Sequence, residues 1–165
     1  MSDNTALIER FYAAFAQRDA AGMSACYHPN VRFSDPAFPD LKGVEAAAMW
    51  HMLCERGADL RVEHSAVQAS GDSGSAHWEA WYTFSTTGRS VHNIIDASFR
   101  FQDGRVIEHR DVFDFSRWSK QALGAPGYLL GWSGFLRNKV QTQADKGLRI
   151  WMGKHDGGAG LIPPL

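Results

Sequence analysis

The sequence predicts an α+β fold in which helices gather on one face of a curved antiparallel sheet, and three observations carry that expectation. The first part of the chain alternates runs of helical and strand periodicity. Between Leu60 and Phe115 come closely spaced runs with a period of two. Their links, at Gly71-Asp72-Ser73-Gly74, Thr87-Gly88 and Asp103-Gly104, are too short for parallel crossovers.

In chain order, Ser2 to Asn4 offer caps to a first helix on which Leu7, Ile8, Phe11, Tyr12 and Phe15 form one apolar face. Asp19 caps a short second helix carrying Met23, Cys26 and Tyr27, which His28-Pro29-Asn30 is expected to end. Val31 to Asp35 alternates as a strand and stops at Pro36. A third helix, Val44 to Arg56, turns Ala47, Met49, Trp50 and Leu53 inward, and Gly57 suits its C-terminus. In the last hairpin, Asp103-Gly104 supplies the tight turn. One strand face then groups Asn93, Ile95, Ala97, Phe99 and Phe101, and the other strand groups His109, Asp111 and Phe113. Aromatic faces holding a polar pair read as a pocket wall, because a solvated face would carry more charge and fewer rings.

Beyond Phe115, Ser116 to Leu123 reads as a short helix and Ser133 to Met152 as a longer one. The glycine-rich stretch between them carries Tyr128, Leu129, Leu130 and Trp132, suited either to a mobile cover or to packing on the sheet. From Gly153 the tail is expected to be loose or to drape over a neighbour. Residues 1–123 are thus expected to form the pocket domain, with 124–165 a helical extension of the same domain.

Composition excludes several function classes. A formal charge of −1 and a pI near 6.6 give no electrostatic case for nucleic acid or an acidic membrane. No apolar run approaches the roughly 20 residues of a membrane span. The polar opening MSDNT and only two cysteines, Cys26 and Cys54, predict a cytoplasmic protein with buried, reduced thiols. Six tryptophans in 165 residues favour an apolar cavity or a large interface.

Two constellations carry candidate chemistry. Asp35, beside Pro36 at a strand end, either bonds its own backbone as a turn aspartate or faces an apolar cavity, where burial would raise its pKa towards that of a base. His109 and Asp111 lie within about 7 Å on one strand face, close enough for an acid–base or polarising pair, or for a polar ladder at an interface. A metal held with Asp35 as third ligand lacks any spacing signature, so no metal or cofactor is expected. Trp78, Tyr82 and Phe84 alternate on one strand and, with Trp50, complete either a core or a chamber. Polar tips at Tyr82, Asn93, His109 and Asp111 favour a partly wet pocket. On the opposite face, Trp81 and Ile94 suit a sheet-to-sheet homodimer.

The opening IERFYAAFAQRD, the strand VRFSDP, Gly43 before the third helix and the pairing FRFQDGRVIEHRDVFD together resemble the nuclear transport factor 2-like superfamily in its SnoaL-like, ketosteroid-isomerase-like branch. The resemblance spans about Thr5 to Phe115. It implies a cone-shaped α+β barrel, usually dimeric, with a pocket in the cone. Asp35 looks like the general base of the isomerases, and His109 and Asp111 look like the inward polar pair of SnoaL-like cyclases. Phe11 and Ala97 stand where the isomerases place their two oxyanion donors. Arg110 faces away from the pocket, unlike the arginine of limonene-epoxide hydrolases. The expectation is a cofactor-independent pocket enzyme in which Asp35 or the His109–Asp111 pair moves a proton on an apolar cyclic carbonyl compound. Trp50, Trp78, Tyr82, Phe84, Asn93, Phe99 and Phe113 would contact that small molecule. The alternative is a non-catalytic ligand-binding or dimerisation module.

Overall fold

In a computed structural model describing residues 2–165, the Ser2 hydroxyl accepts the Thr5 amide and opens α1 (Asp3–Ala16), whose Leu7, Ile8, Phe11, Tyr12 and Phe15 are all buried. Asp19 caps α2 (Ala20–Ala25) through the Gly22 amide. α3 (Val44–Arg56) starts after Gly43, at φ +56°, where a Cβ would stand 2.9 Å from the Pro29 carbonyl oxygen. Only glycine suits that turn and that approach.

β1 (Tyr27–Ser34) begins at Tyr27, so His28 and Pro29 belong to the strand instead of ending α2 as expected. Proline is tolerated there because the pairing of β1 with its neighbour skips from Tyr27 to Arg32. β2 (Leu41–Lys42) adds a short edge that the sequence did not announce. The four runs are β3 (Arg61–Ser70), β4 (Ser73–Phe84), β5 (Arg89–Gln102) and β6 (Arg105–Val112). They form the expected antiparallel meander within a sheet ordered β2-β1-β6-β5-β4-β3. The β1–β6 pair is parallel, the one departure from the antiparallel pattern, because the whole meander and α3 separate those strands along the chain.

Asp103 (φ +54°) and Gly104 (φ +74°) make the predicted tight turn. A bulge follows: Phe101 faces Val106, but Arg100 faces Glu108. The extra residue lets Val106 and His109 both point inward, and Asp111 follows in phase. β5 outruns β6, whose last partner pair is Asp96–Val112. α4 (Phe115–Leu123) covers the edge left open there, with the Gln121 side chain accepting the His92 amide and Arg117 donating to the His92 carbonyl.

The extension continues through α5 (Ala125–Leu130) and α6 (Gly134–Gly153), the latter capped by Ser133. α6 packs on α3, where the Trp151 indole donates to Glu55 at 2.9 Å. The tail is docked, not loose: the Pro163 and Pro164 carbonyls accept from Arg105 at 2.6 and 2.8 Å, back at the β5–β6 turn. Cys26 and Cys54 are buried free thiols. No helix among the described residues is long and apolar enough to cross a membrane.

Candidate functional site

The concave face of the sheet encloses a cavity of 610 Å³ between β4, β5, α3 and α6. Its walls are mostly apolar: Trp50 from α3, Trp78 and Phe84 from β4, Ile95 from β5, Phe113 beyond β6, and Val140 and Ala144 from α6. Four polar side chains stand in this lining away from the rim: Asp35, Asp111, Tyr82 and Asn93. A second depression beside Pro29 and Gly43 is open to solvent and contains none of them.

Asp35 both bonds its own backbone and lines the cavity. Its Oδ1 accepts the Ala37 and Phe38 amides at 2.7 and 2.6 Å, and its own amide donates to the Phe38 carbonyl. This turn at the end of β1 fixes the carboxyl against the cavity. Burial pushes its pKa from 3.8 up to about 7; the Phe38 amide opposes the rise and the charge of Asp111 adds to it. The residue as a whole is only partly buried, so water admitted to the cavity would bring its pKa back towards the ordinary carboxylate range. α6 contributes directly, because Gln141 donates to the Pro36 carbonyl at 3.0 Å.

Asp111 ends a buried chain of hydrogen bonds. The Trp50 indole donates to the Tyr27 hydroxyl at 2.7 Å, and that hydroxyl lies 2.8 Å from His109 Nδ1. His109 Nε2 lies 2.9 Å from Asp111 Oδ1, which also accepts the Trp78 indole at 3.3 Å. Burial holds the Tyr27 phenol well above its ordinary pKa, so it keeps its proton. With its lone pair taken by Trp50, that proton goes to Nδ1, and the imidazole carries its own on Nε2, aimed at Asp111. His109 itself stands behind the cavity wall, boxed by Phe99 at 4.4 Å, Phe33 at 5.1 Å and Phe11 at 5.4 Å between ring centroids. Phe99 belongs to that box and not to the lining. The other residues expected to contact a ligand, Trp50, Trp78, Tyr82, Phe84, Asn93 and Phe113, all reach the cavity.

Two donors share the cavity with the carboxylates. The Tyr82 hydroxyl accepts the Trp118 indole at 2.8 Å, which leaves its own proton free for the cavity. Burial pushes its pKa up to about 12, and Asp35 adds to the rise, so it remains a donor. Asn93, 8% exposed, makes no side-chain hydrogen bond within the described residues. Phe11 and Ala97 are buried and apolar, whereas the neighbouring Tyr12 carries a buried hydroxyl without a partner. Tyr27 and Trp118 carry no local signal of their roles: in sequence the first continues the periodicity of α2, and the second has no periodic relation to Tyr82.

The SnoaL-like domain family matches residues 8–109, more than half of the chain. The chain belongs to that family. Solved structures agree on the nuclear transport factor 2-like fold. An NTF2-like protein of unknown function from Burkholderia pseudomallei is 23% identical, with a TM-score of 0.65 over 74% of this chain and 99% of its own. An LEH-like epoxide hydrolase from M. tuberculosis is 18% identical, with a TM-score of 0.61 over 77% and 92%. A protein with a ketosteroid isomerase-like fold from Catenulispora acidiphila, in complex with trimethylamine, is 12% identical, with a TM-score of 0.63 over 74% and 95%. No curated protein sequence matches the chain. In this SnoaL-like protein, Asp111, Phe113 and the α4–α6 part of the wall lie beyond the matched segment. Among the described residues, no group of three or more His, Cys, Asp or Glu is arranged to hold a metal ion.

Proposed function

We propose that this protein is a cofactor-independent enzyme that moves a proton on an apolar, cyclic carbonyl compound, in the manner of isomerases and cyclases. The observation that carries the reading is Asp35: a carboxyl whose pKa burial pushes up to about 7, lining the same largely apolar cavity as Tyr82 and Asp111. At neutral pH about half of such a group is ionised, which suits a general base that must both take and return a proton. Asp35 removes the proton α to the carbonyl. Tyr82 and Asn93 donate hydrogen bonds to the oxygen on which negative charge develops. Asp111, bonded to His109 Nε2 and the Trp78 indole, adds through its charge to the rise in the Asp35 pKa.

Exchange of the α-protons of 1-tetralone in D2O, followed by NMR, tests this without a known substrate. The wild-type protein should accelerate exchange, and Asp35→Asn should lower the rate by roughly two to four orders of magnitude. Binding without any accelerated exchange would instead support a ligand-binding module, the reading favoured by the apolar residues at Phe11 and Ala97. We also propose a homodimer through the convex sheet face, supported by Ile94 and Val112, 40% and 52% exposed on it. Trp81 on that face is stacked on His92 at 4.6 Å and covered by Arg61 at 4.1 Å. A stable monomer by light scattering at micromolar concentration would exclude that assembly.

A further inference from the structure

The charges around the cavity are sorted by depth. The acidic residues in its lining are Asp35 and Asp111, on the inner wall. The basic ones are Arg56, at the C-terminal end of α3, and Lys139, on α6, both exposed at the rim. Among the described residues neither forms an ion pair, although Arg32, Lys42, Arg61 and Arg149 all do. Arg56 lies against α6 at Gly147, with its Nη1 3.5 Å from where a Cβ there would stand. Lys139 starts about 12 Å further up the same helix. Gln143 lines the cavity midway between them, and its amide adds N–H donors to the two cations. The lining under α6 is therefore rich in donors and holds no carboxylate of its own; the neighbouring Asp59 carboxylate is engaged by the Thr83 amide and hydroxyl, while the interior holds carboxylates and a mostly apolar surface.

From this sorting we propose that the substrate is an amphipathic acid. Its apolar ring ketone enters the cavity, and a carboxylate on a short side chain stays at the mouth, bound by Lys139 and Arg56. The opposite orientation would bring an anion against Asp111 and Asp35 in a low-dielectric interior, where like charges repel strongly. A neutral ring ketone lacks the group that the unpaired cations would engage. Held at its outer end, the acid also presents its carbonyl in one orientation, so the rim serves positioning as well as affinity.

This inference rests on the proposed proton-transfer reading, and two separate readouts keep the two apart. Calorimetry compares 3-(1-oxo-tetralin-2-yl)propanoate with its primary amide and with the corresponding amine, using the full-length protein. The acid should bind about tenfold more tightly than the amide, a difference of one decade in Kd. Raised salt should shrink that gap, and the double variant Arg56→Ala/Lys139→Ala should bring the acid down to the amide's affinity. Equal binding of acid and amide, tighter binding of the amine, or an acid preference that survives the double variant would each overturn the inference. α-Proton exchange on the amide, lost in Asp35→Asn, would then show the base reading standing while the rim reading falls. Absence of both binding and exchange with every probe would refute both.

Discussion

Replacing Asp35 by Asn separates the cost of this carboxyl from its use. Asn keeps an Oδ1 that can accept the Ala37 and Phe38 amides, so the turn at the end of β1 survives. What disappears is the ionised form, whose burial raises the pKa from 3.8 to about 7 and so corresponds to roughly 4 kcal/mol at most. Partial exposure of the residue brings the expected figure to about 2–4 kcal/mol. The sign follows from proton binding. Between about pH 4 and pH 7 the folded protein binds a proton at this site that the unfolded chain has released, so wild-type stability falls as pH rises through that window. Asp35→Asn should therefore match the wild type below pH 4, gain on it progressively up to about pH 7, and stay ahead above that. Urea denaturation at a series of pH values measures this directly, alongside the loss of exchange activity. A variant that is less stable at every pH, or a stability gain independent of pH, would show that the carboxyl is a structural turn residue and not a strained base.

Tyr27→Phe should leave the Trp50 indole and His109 Nδ1 without their common partner, costing about 2–4 kcal/mol in thermal or urea unfolding and releasing the imidazole tautomer, which 15N NMR of His109 reports. Asp111→Asn removes a charge that helps raise the Asp35 pKa, so the pH at which exchange reaches half its maximum should move down; an unchanged profile would remove Asp111 from the site's electrostatics. Tyr82→Phe should slow exchange by about 10- to 1000-fold with fold intact by circular dichroism, as expected for the loss of one donor to the developing oxyanion. Deleting residues 124–165 removes α6 and opens the cavity, so the Asp35 pKa should fall towards its ordinary value in an NMR titration of any fragment that stays folded.

The strands and helices of the pocket domain were legible because their signals are local. Gly43, Asp103-Gly104 and the period-two runs determine turns and faces that no distant contact overrides. The course of β1 was not legible, since Pro29 reads as a breaker unless one knows that the neighbouring strand leaves its ladder unpaired there. The bulge on β6 was hidden for the same reason, yet Val106 and His109 share a face only because of it. In the site, Asp35 and Asp111 could be singled out by their own surroundings in sequence. Tyr27 and Trp118 could not, because each matters through hydrogen bonds to residues far along the chain, Tyr27 with Trp50 and His109 and Trp118 with Tyr82. The glycine-rich stretch around α5 reads either as a mobile cover or as packing on the sheet; Pro126 there and Leu136 at the start of α6 line the cavity, while Tyr128, Leu129 and Trp132 are 69–81% exposed on the outside.

The bond from Gln141 to the Pro36 carbonyl has a consequence for how such a protein changes its substrate range. Under the proposed reading, the residues that handle the proton sit just past β1 and on β4 and β6, whereas much of the remaining cavity wall belongs to one helix outside the family's common segment. Substitutions along α6 can therefore retune selectivity while the carboxylates stay in place. They are not fully independent, however, because that same helix holds the loop next to Asp35. A bulky substitution at Ala144 that tilted α6 would shift the loop and, with it, the acidity of Asp35. If the proposed proton transfer holds, selectivity and working pH are mechanically linked, and variants selected for a larger ring should come out with a displaced pH optimum.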